Sequence, residues 1–151
     1  MSATSRPMIV VDANVAIWAV LPVVSSIDTL AVIAHWRASG VRLIAPGLWL
    51  AECASAIRSA VQHGLISLEE GLRALDDVLL LEVDPIPITQ AQTRAAFAWS
   101  TRLGQRRAYD GFYLALAEDL RAEFWSVDRR LVASARQAGA TWIHAVEERV
   151  E

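Results

Sequence analysis

The 151-residue sequence has no lysine and only one cysteine, Cys53. Its fourteen basic residues are therefore all arginines, and its seventeen acidic residues give a formal net charge of −3. A lone cysteine cannot form an internal disulfide, which is typical of a reducing compartment, and we expect a cytoplasmic protein with Cys53 in its core. Because the net charge is negative, binding to nucleic acid would need a local group of arginines or a metal ion.

Long apolar runs are also missing: none reaches the roughly 20 residues that cross a bilayer, so we expect no membrane attachment. The start, MSATSRP, is polar and unlike a secretory signal, and we interpret residues 1–7 as a flexible tip, with Met8 as an alternative start. The sequence has no low-complexity linker, internal repeat or charge block. Residues 8–151 are therefore predicted to form a single domain.

Strand-like and helical patterns alternate along the chain. Strands are predicted at 8–11, 41–45, 82–88, 124–127 and 142–146. Helices are predicted near 13–20, 27–39, 47–63, 67–80, 89–103, 107–121 and 129–138. Such alternation is typical of a parallel sheet covered by helices on both faces. The expected fold class is α/β, with three α/β/α layers around a central, mainly parallel five-stranded sheet.

Two predicted strands run directly into an aspartate. The stretches IVVD at 9–12 and WSVD at 125–128 each pass from an apolar strand through a carboxylate into a helix. In open α/β sheets, ligands bind beyond the carboxyl ends of the strands, which makes Asp12 and Asp128 candidate site residues. The alternative, that each aspartate only caps the helix behind it, stays open on spacing alone.

Two further acids lie near the starts of predicted helices. Asp110 lies at the edge of an apolar stripe, where it could face a crevice or complement the helix dipole. Glu52 is predicted to lie opposite the main apolar stripe of its helix, so a solvent-facing and a cleft-facing position both stay open. The members predicted for that stripe are Leu50, Ala54, Ile57 and Val61.

The residue types indicate which ion such acids would bind. Carboxylates brought together without compensation repel one another and hold their protons more tightly, and a divalent cation would relieve that repulsion. Oxygen donors without histidine or thiolate favour Mg²⁺ or Mn²⁺ over zinc. The histidines lack zinc-site spacing and are expected to be structural or on the surface: His35, His63 and His144.

Other protein classes also place an aspartate after the first strand. Phosphoryl-transfer domains of the receiver and haloacid-dehalogenase types normally use a lysine beside it, and this chain has none. A P-loop or dinucleotide fold would need a glycine-rich turn there, and DANVAIW contains no glycine. A non-catalytic α/β interaction module stays open.

Four stretches together resemble the PIN domain family, and in particular VapC-like toxins of bacterial toxin–antitoxin pairs. They are MIVVDANV at 8–15, APGLWLAECASAIR at 45–58, YDGFYLALAEDL at 109–120 and WSVDRRLVASA at 125–135. The resemblance implies an endoribonuclease that uses Mg²⁺ or Mn²⁺. Its catalytic, metal-binding acids, called here the acidic quartet, would be Asp12, Glu52, Asp110 and Asp128. Asn14 and Ser126 would orient carboxylates or metal-bound water, whereas Gly111 departs from the alanine that is commoner in the family.

The resemblance also implies partners, namely an RNA substrate, a cognate antitoxin and a second copy of the chain. Five arginines could form an RNA-binding rim, with solvated surface or antitoxin contacts as alternatives: Arg102, Arg106, Arg107, Arg129 and Arg130. Trp49, Trp99 and Trp125 could stack on unpaired bases, but packing in the core or in a dimer is the favoured interpretation.

Overall fold

The protein is described here by a computed structural model, which covers residues 6–21 and 28–149, without the side chains of 148 and 149. Five strands form one sheet in the order β3-β2-β1-β4-β5, and all four neighbouring pairs are parallel. They are β1 (Met8–Val11), β2 (Arg42–Pro46), β3 (Asp84–Ile86), β4 (Glu123–Ser126) and β5 (Ile143–Ala145). The expected parallel five-stranded α/β fold is confirmed.

Helices connect the strands and cover the sheet. They are α1 (Ala13–Val20), α2 (Thr29–Ala38), α3 (Trp49–Gln62), α4 (Leu68–Leu80), α5 (Gln90–Arg102), α6 (Tyr109–Leu120) and α7 (Arg129–Gln137), followed by a 3-10 helix at Val146–Arg149. Most of the predicted tip, residues 1–5, lies outside the described residues, as do residue 27 and the end of the predicted domain at 150 and 151. The single-domain assignment stays a prediction.

Local signals explain several element boundaries. Ser67 and Glu70 form the reciprocal capping box that starts α4. Strand β3 is shorter than its predicted span of 82–88: Glu82 has a φ of 55°, outside the extended region, and Pro87, just after the strand, has no N–H group to donate to a neighbouring strand. The central strand β1 is apolar and almost fully buried from Ile9 to Val11, as expected for a sheet covered on both faces.

The buried face of α3 differs from the predicted stripe. The structure buries Trp49, Cys53, Ile57 and Ala60, whereas Leu50 and Ala54 are exposed. The reason is tertiary, because α3 packs against both α1 and α4, and these contacts select a face that periodicity alone did not. This rotation places Glu52 beside the buried row, half-buried rather than fully solvated.

Helix α4 buries one face and exposes a row of leucines. Its buried residues are Gly71, Ala74 and Val78. The leucine row of α4, as we call it, is more than half exposed and consists of Leu68, Leu72 and Leu79. In the part of the chain that the structure describes, no helix is both long enough and apolar enough to cross a membrane.

Candidate active site

The acidic quartet lies where strand ends and helix starts converge. Asp12 directly follows β1, and Asp128 follows β4, the neighbouring parallel strand. The backbone N–H of Asp12 donates to the Trp125 carbonyl at 3.0 Å, which ties the two strand ends together. Glu52 lies in the first turn of α3, and Asp110 lies in the first turn of α6.

Asp12 is buried and does not cap helix α1 with its side chain. Its Oδ2 instead accepts hydrogen bonds from Ser126 Oγ at 2.9 Å and from Asn14 Nδ2 at 3.3 Å. Asn14 and Ser126 also contact each other at 3.1 Å, and Asn14 Oδ1 accepts the Val127 N–H at 3.2 Å. The capping interpretation is therefore wrong for Asp12, whose carboxylate belongs to a network between β1 and β4.

The pKa of Asp12 is raised to about 7. Burial is the largest cause, and repulsion from the carboxylates of Asp110 and Glu52 adds to it, while hydrogen bonds from Ser126 and the backbone of Ala13 act in the opposite direction. Burial and repulsion therefore favour the protonated form of Asp12, whereas a divalent ion bound beside it would favour the ionised form.

Asp128 does cap its helix with its side chain, and its place in the site stays a prediction. Its Oδ1 accepts the backbone N–H groups of Arg130 at 3.0 Å and Leu131 at 3.1 Å at the start of α7. Its own N–H donates to Ser126 Oγ at 3.0 Å. Capping uses one carboxylate oxygen, and the other has no donor among the described residues.

Glu52 and Asp110 are each held by one neutral donor. Tyr113 donates its hydroxyl to Glu52 Oε1 at 2.6 Å, and Gln105 donates Nε2 to Asp110 Oδ2 at 2.9 Å. Burial raises the pKa of Glu52, Tyr113 lowers it and Asp110 raises it further. Burial likewise raises the pKa of Asp110, Gln105 lowers it and Asp128 raises it.

Repulsion therefore links the four carboxylates: Asp110 is coupled to each of the other three, and Asp12 is also coupled to Glu52.

The sequence did not identify Gln105 or Tyr113 as part of the site. Tyr113 carried a usable signal, because it lies three residues after Asp110 on the same helix. Gln105 carried none, since it lies in an irregular turn whose path no periodicity predicts.

Gly111 brings α5 and α6 close together beside Asp110. A Cβ atom at position 111 would lie 2.2 Å from the Ala96 carbonyl oxygen and 2.8 Å from Ser100 Oγ. Such distances are far inside van der Waals contact, so alanine would force the helices apart. Glycine is therefore required here for packing, and it allows α6, which carries Asp110, to lie close against α5.

The donor set suits a hard divalent cation. Among the described residues, no group of three or more His, Cys, Asp or Glu side chains is arranged closely enough to hold a metal ion by itself. Mg²⁺ does not require one, because it usually keeps several waters and is bound through one or two carboxylates. Carboxylates that repel one another, each held at one oxygen by uncharged or backbone donors, fit such an ion.

The tryptophans and arginines that the sequence offered for RNA contacts differ in their exposure. Trp49, Trp99 and Trp125 are buried, so they pack in the core and do not stack on RNA bases. The five candidate rim arginines are all exposed. The guanidinium of Arg102 lies over the Trp99 ring at 3.7 Å, and Arg129 forms an ion pair with Glu147.

The three histidines lie outside the acidic quartet. His35 and His63 are exposed, and the ring of His144 packs on that of Trp125, with 4.8 Å between ring centroids.

A sequence model of the PIN domain family matches residues 9–137, and the chain belongs to this family. No curated protein matches the sequence. Among solved structures, the chain is similar to VapBC2 from Rickettsia felis bound to a DNA fragment from their promoter, with a TM-score of 0.66 and 13% identity over 91% of this chain and 98% of that one.

Two further structures share the fold. PAE2754 from Pyrobaculum aerophilum has a TM-score of 0.63 and 18% identity, covering 94% of this chain and 91% of that one. VapBC-1 from nontypeable Haemophilus influenzae has a TM-score of 0.61 and 16% identity, covering 93% and 98%. At these identities the likeness establishes the fold, and the predicted family is confirmed by the sequence match.

Proposed function

We propose that this PIN domain is a Mg²⁺- or Mn²⁺-dependent endoribonuclease, acting in the cytoplasm as the toxin of a type II toxin–antitoxin pair. The observation that carries the proposal is the buried Asp12, whose pKa is raised to about 7 by burial and by neighbouring carboxylates. A protein gains no stability from an uncompensated buried acid, so its presence at the ligand-binding edge of the sheet indicates a cation-dependent function.

In this mechanism, Asp12 and Asp110 would hold the ion, and Glu52 and Asp128 would complete the site directly or through water. Ser126 and Asn14 fix the rotation of the Asp12 carboxylate. The bound ion would lower the pKa of a water molecule and neutralise charge on the scissile phosphate.

The substrate proposal adds a source of positive charge for the RNA backbone. Arg106 and Arg107 precede Asp110, and Arg130 follows Asp128, so exposed guanidinium groups flank two acids of the quartet in sequence. Arginines contact phosphate oxygens without reading sequence, so they would hold RNA and leave cleavage preference to other contacts. Binding to a non-cleaving variant should therefore weaken steeply with salt.

The partner proposal is an antitoxin whose peptide covers the quartet and inserts a basic residue among the carboxylates. The leucine row of α4 offers such a partner an additional exposed apolar surface. Inhibition by an antitoxin should therefore weaken with Leu72→Glu, and a complex whose quartet stays open and active would contradict the proposal. A homodimer also stays a prediction, to be checked by light scattering of the purified chain.

The decisive experiment maps cleavage sites on total cellular RNA. Wild-type protein with Mg²⁺ is expected to produce defined cuts that EDTA abolishes, and Asp12→Asn should reduce them at least about a hundredfold. Asp76→Asn is the matched control, because Asp76 is an exposed aspartate on α4, and it should cut like the wild type. Cleavage that persists in EDTA, or equally in Asp12→Asn, would contradict the proposal and leave a non-catalytic interaction module.

A further inference from the structure

Gln105 lies in the turn between α5 and α6, five residues before Asp110. Its backbone N–H donates to the Ser100 carbonyl at 2.9 Å, so the turn is tied back to the end of α5. Its half-buried side chain donates Nε2 to Asp110 Oδ2 at 2.9 Å. Asp110 therefore accepts a hydrogen bond from a residue outside its own helix, in a turn that is itself hydrogen-bonded to the end of α5.

The other end of the same amide is unsatisfied. Gln105 Oε1 is buried and has no hydrogen-bond partner in the described part of the chain. A buried acceptor without a donor costs free energy. Turning the amide over would bring Oε1 against a carboxylate, which only accepts hydrogen bonds when ionised. Asp110 thus fixes the orientation of the Gln105 amide. Gln105 Nε2 donates to the carboxylate, and Gln105 Oε1 is left without a donor among the described residues.

The donor to Asp110 is neutral, as are the side chains that donate to Asp12 and Glu52 among the described residues. These donors are Gln105, Asn14, Ser126 and Tyr113. A guanidinium in the same place would orient the carboxylate equally well but would cancel the charge that attracts a cation. The next two residues in the turn, Arg106 and Arg107, are exposed arginines, yet an amide contacts Asp110.

We propose that Gln105 is a positioning residue, which fixes the rotation of the Asp110 carboxylate so that Oδ1 is available to the divalent cation. This inference rests on the proposed metal-dependent function. No described residue donates a hydrogen bond to Oδ1, so the single bond to Oδ2 decides how the carboxylate is presented. Partners of metal ligands of this kind typically change metal affinity about 10- to 100-fold when they are lost.

A second glutamine on the same helix pair provides a matched control. Gln92 donates Nε2 to Asp119 Oδ2 at 3.1 Å, also between the α5 and α6 segments. Asp119 lies nine residues after Asp110 on α6, which corresponds to about 13 Å along the helix axis. Both pairs therefore have the same chemistry, and only one of them includes an acid of the quartet.

The experiment compares Gln105→Met and Gln92→Met, which keep the side-chain length and remove the amide. Mn²⁺ affinity is measured by isothermal titration calorimetry, and stability by urea unfolding in EDTA. Gln105→Met should weaken Mn²⁺ binding about tenfold or more, with an unfolding midpoint equal to or above that of the wild type. Gln92→Met should lower the unfolding midpoint and leave Mn²⁺ affinity unchanged, because it also loses the capping-box bond to Thr89.

Three outcomes would separate the claims. Mn²⁺ affinity of Gln105→Met within twofold of the wild type would overturn the positioning role. An affinity loss matched by Gln92→Met would also overturn it, since it would reflect general loosening of the helix pair. If wild type and Asp12→Asn bind Mn²⁺ equally, the proposed metal site itself fails, and the positioning role of Gln105 fails with it.

Discussion

The edge of the sheet where the parallel strands begin and the edge where they end differ in how their charged side chains are paired. At the edge where the strands begin, Arg42 Nε donates to Asp84 Oδ2 at 2.8 Å, and both arginines and acids line the pocket around this pair. At the edge where the strands end, Asp12, Glu52 and Asp110 repel one another, and their side-chain donors are neutral. The first edge, called here the compensated edge, contains an ion pair within the chain. At the second, called here the acidic edge, no cationic side chain among the described residues forms an ion pair with these three carboxylates.

The largest expected effect is a dependence of stability on pH at the acidic edge. Since the pKa of Asp12 rises from 3.8 unfolded to about 7 folded, the native state binds its proton more tightly between these values. The free energy of unfolding of the metal-free protein should therefore fall as pH rises from about 4 to 7, by up to about 4 kcal/mol. Urea unfolding in EDTA at pH 4 and pH 8 measures this.

Asp12→Asn is the control for that prediction. It should reduce the fall with pH and make the metal-free protein more stable than the wild type at pH 8, while abolishing cleavage. Mn²⁺ should restore wild-type stability at pH 8 but not affect the variant. Equal pH slopes in the two proteins would show that the acidic edge is compensated in a way that the described residues do not reveal.

The next effect tests the packing that positions Asp110. Gly111→Ala would place a Cβ atom 2.2 Å from the Ala96 carbonyl oxygen, so α5 and α6 must separate. Overpacking of this kind typically costs about 1–3 kcal/mol, and Mn²⁺ affinity should fall as well because Asp110 moves with α6. Gly104→Ala is a comparison with no neighbouring atom within 4 Å but with a positive φ, so it should lower stability alone. Unchanged Mn²⁺ affinity in Gly111→Ala would separate helix packing from the site.

The smallest effect belongs to the compensated edge. Asp84→Asn removes an ion pair whose side chains are 43% and 53% exposed, and such pairs contribute about 0–1 kcal/mol. Stability should therefore change little, and both Mn²⁺ affinity and RNA cleavage should equal those of the wild type. A loss of metal affinity in this variant would mean that the two edges are coupled through the sheet.

Much of this organisation was predictable because it is encoded locally. The apolar run into Asp12, its repetition at Asp128 and the capping box at Ser67 each depend on neighbours along the chain. The buried face of α3 was predicted only in part: Ile57 is buried, but Leu50 and Ala54 are exposed, because they fit a helical stripe as well as the buried residues do. Only contact with two other helices chooses between them.

The order of residues was enough to predict the alternation of strands and helices and to locate four acids near element boundaries. Packing between distant segments was needed to show that Asp128 caps its helix and Asp12 does not. It was also needed to show that Tyr113 donates to Glu52 and Gln105 to Asp110. The physical reason is the separation along the chain of the residues that interact. Strand and helix patterns follow from steric and hydrophobic preferences of adjacent residues, whereas hydrogen bonding and repulsion between carboxylates depend on distances that exist only once distant segments have packed.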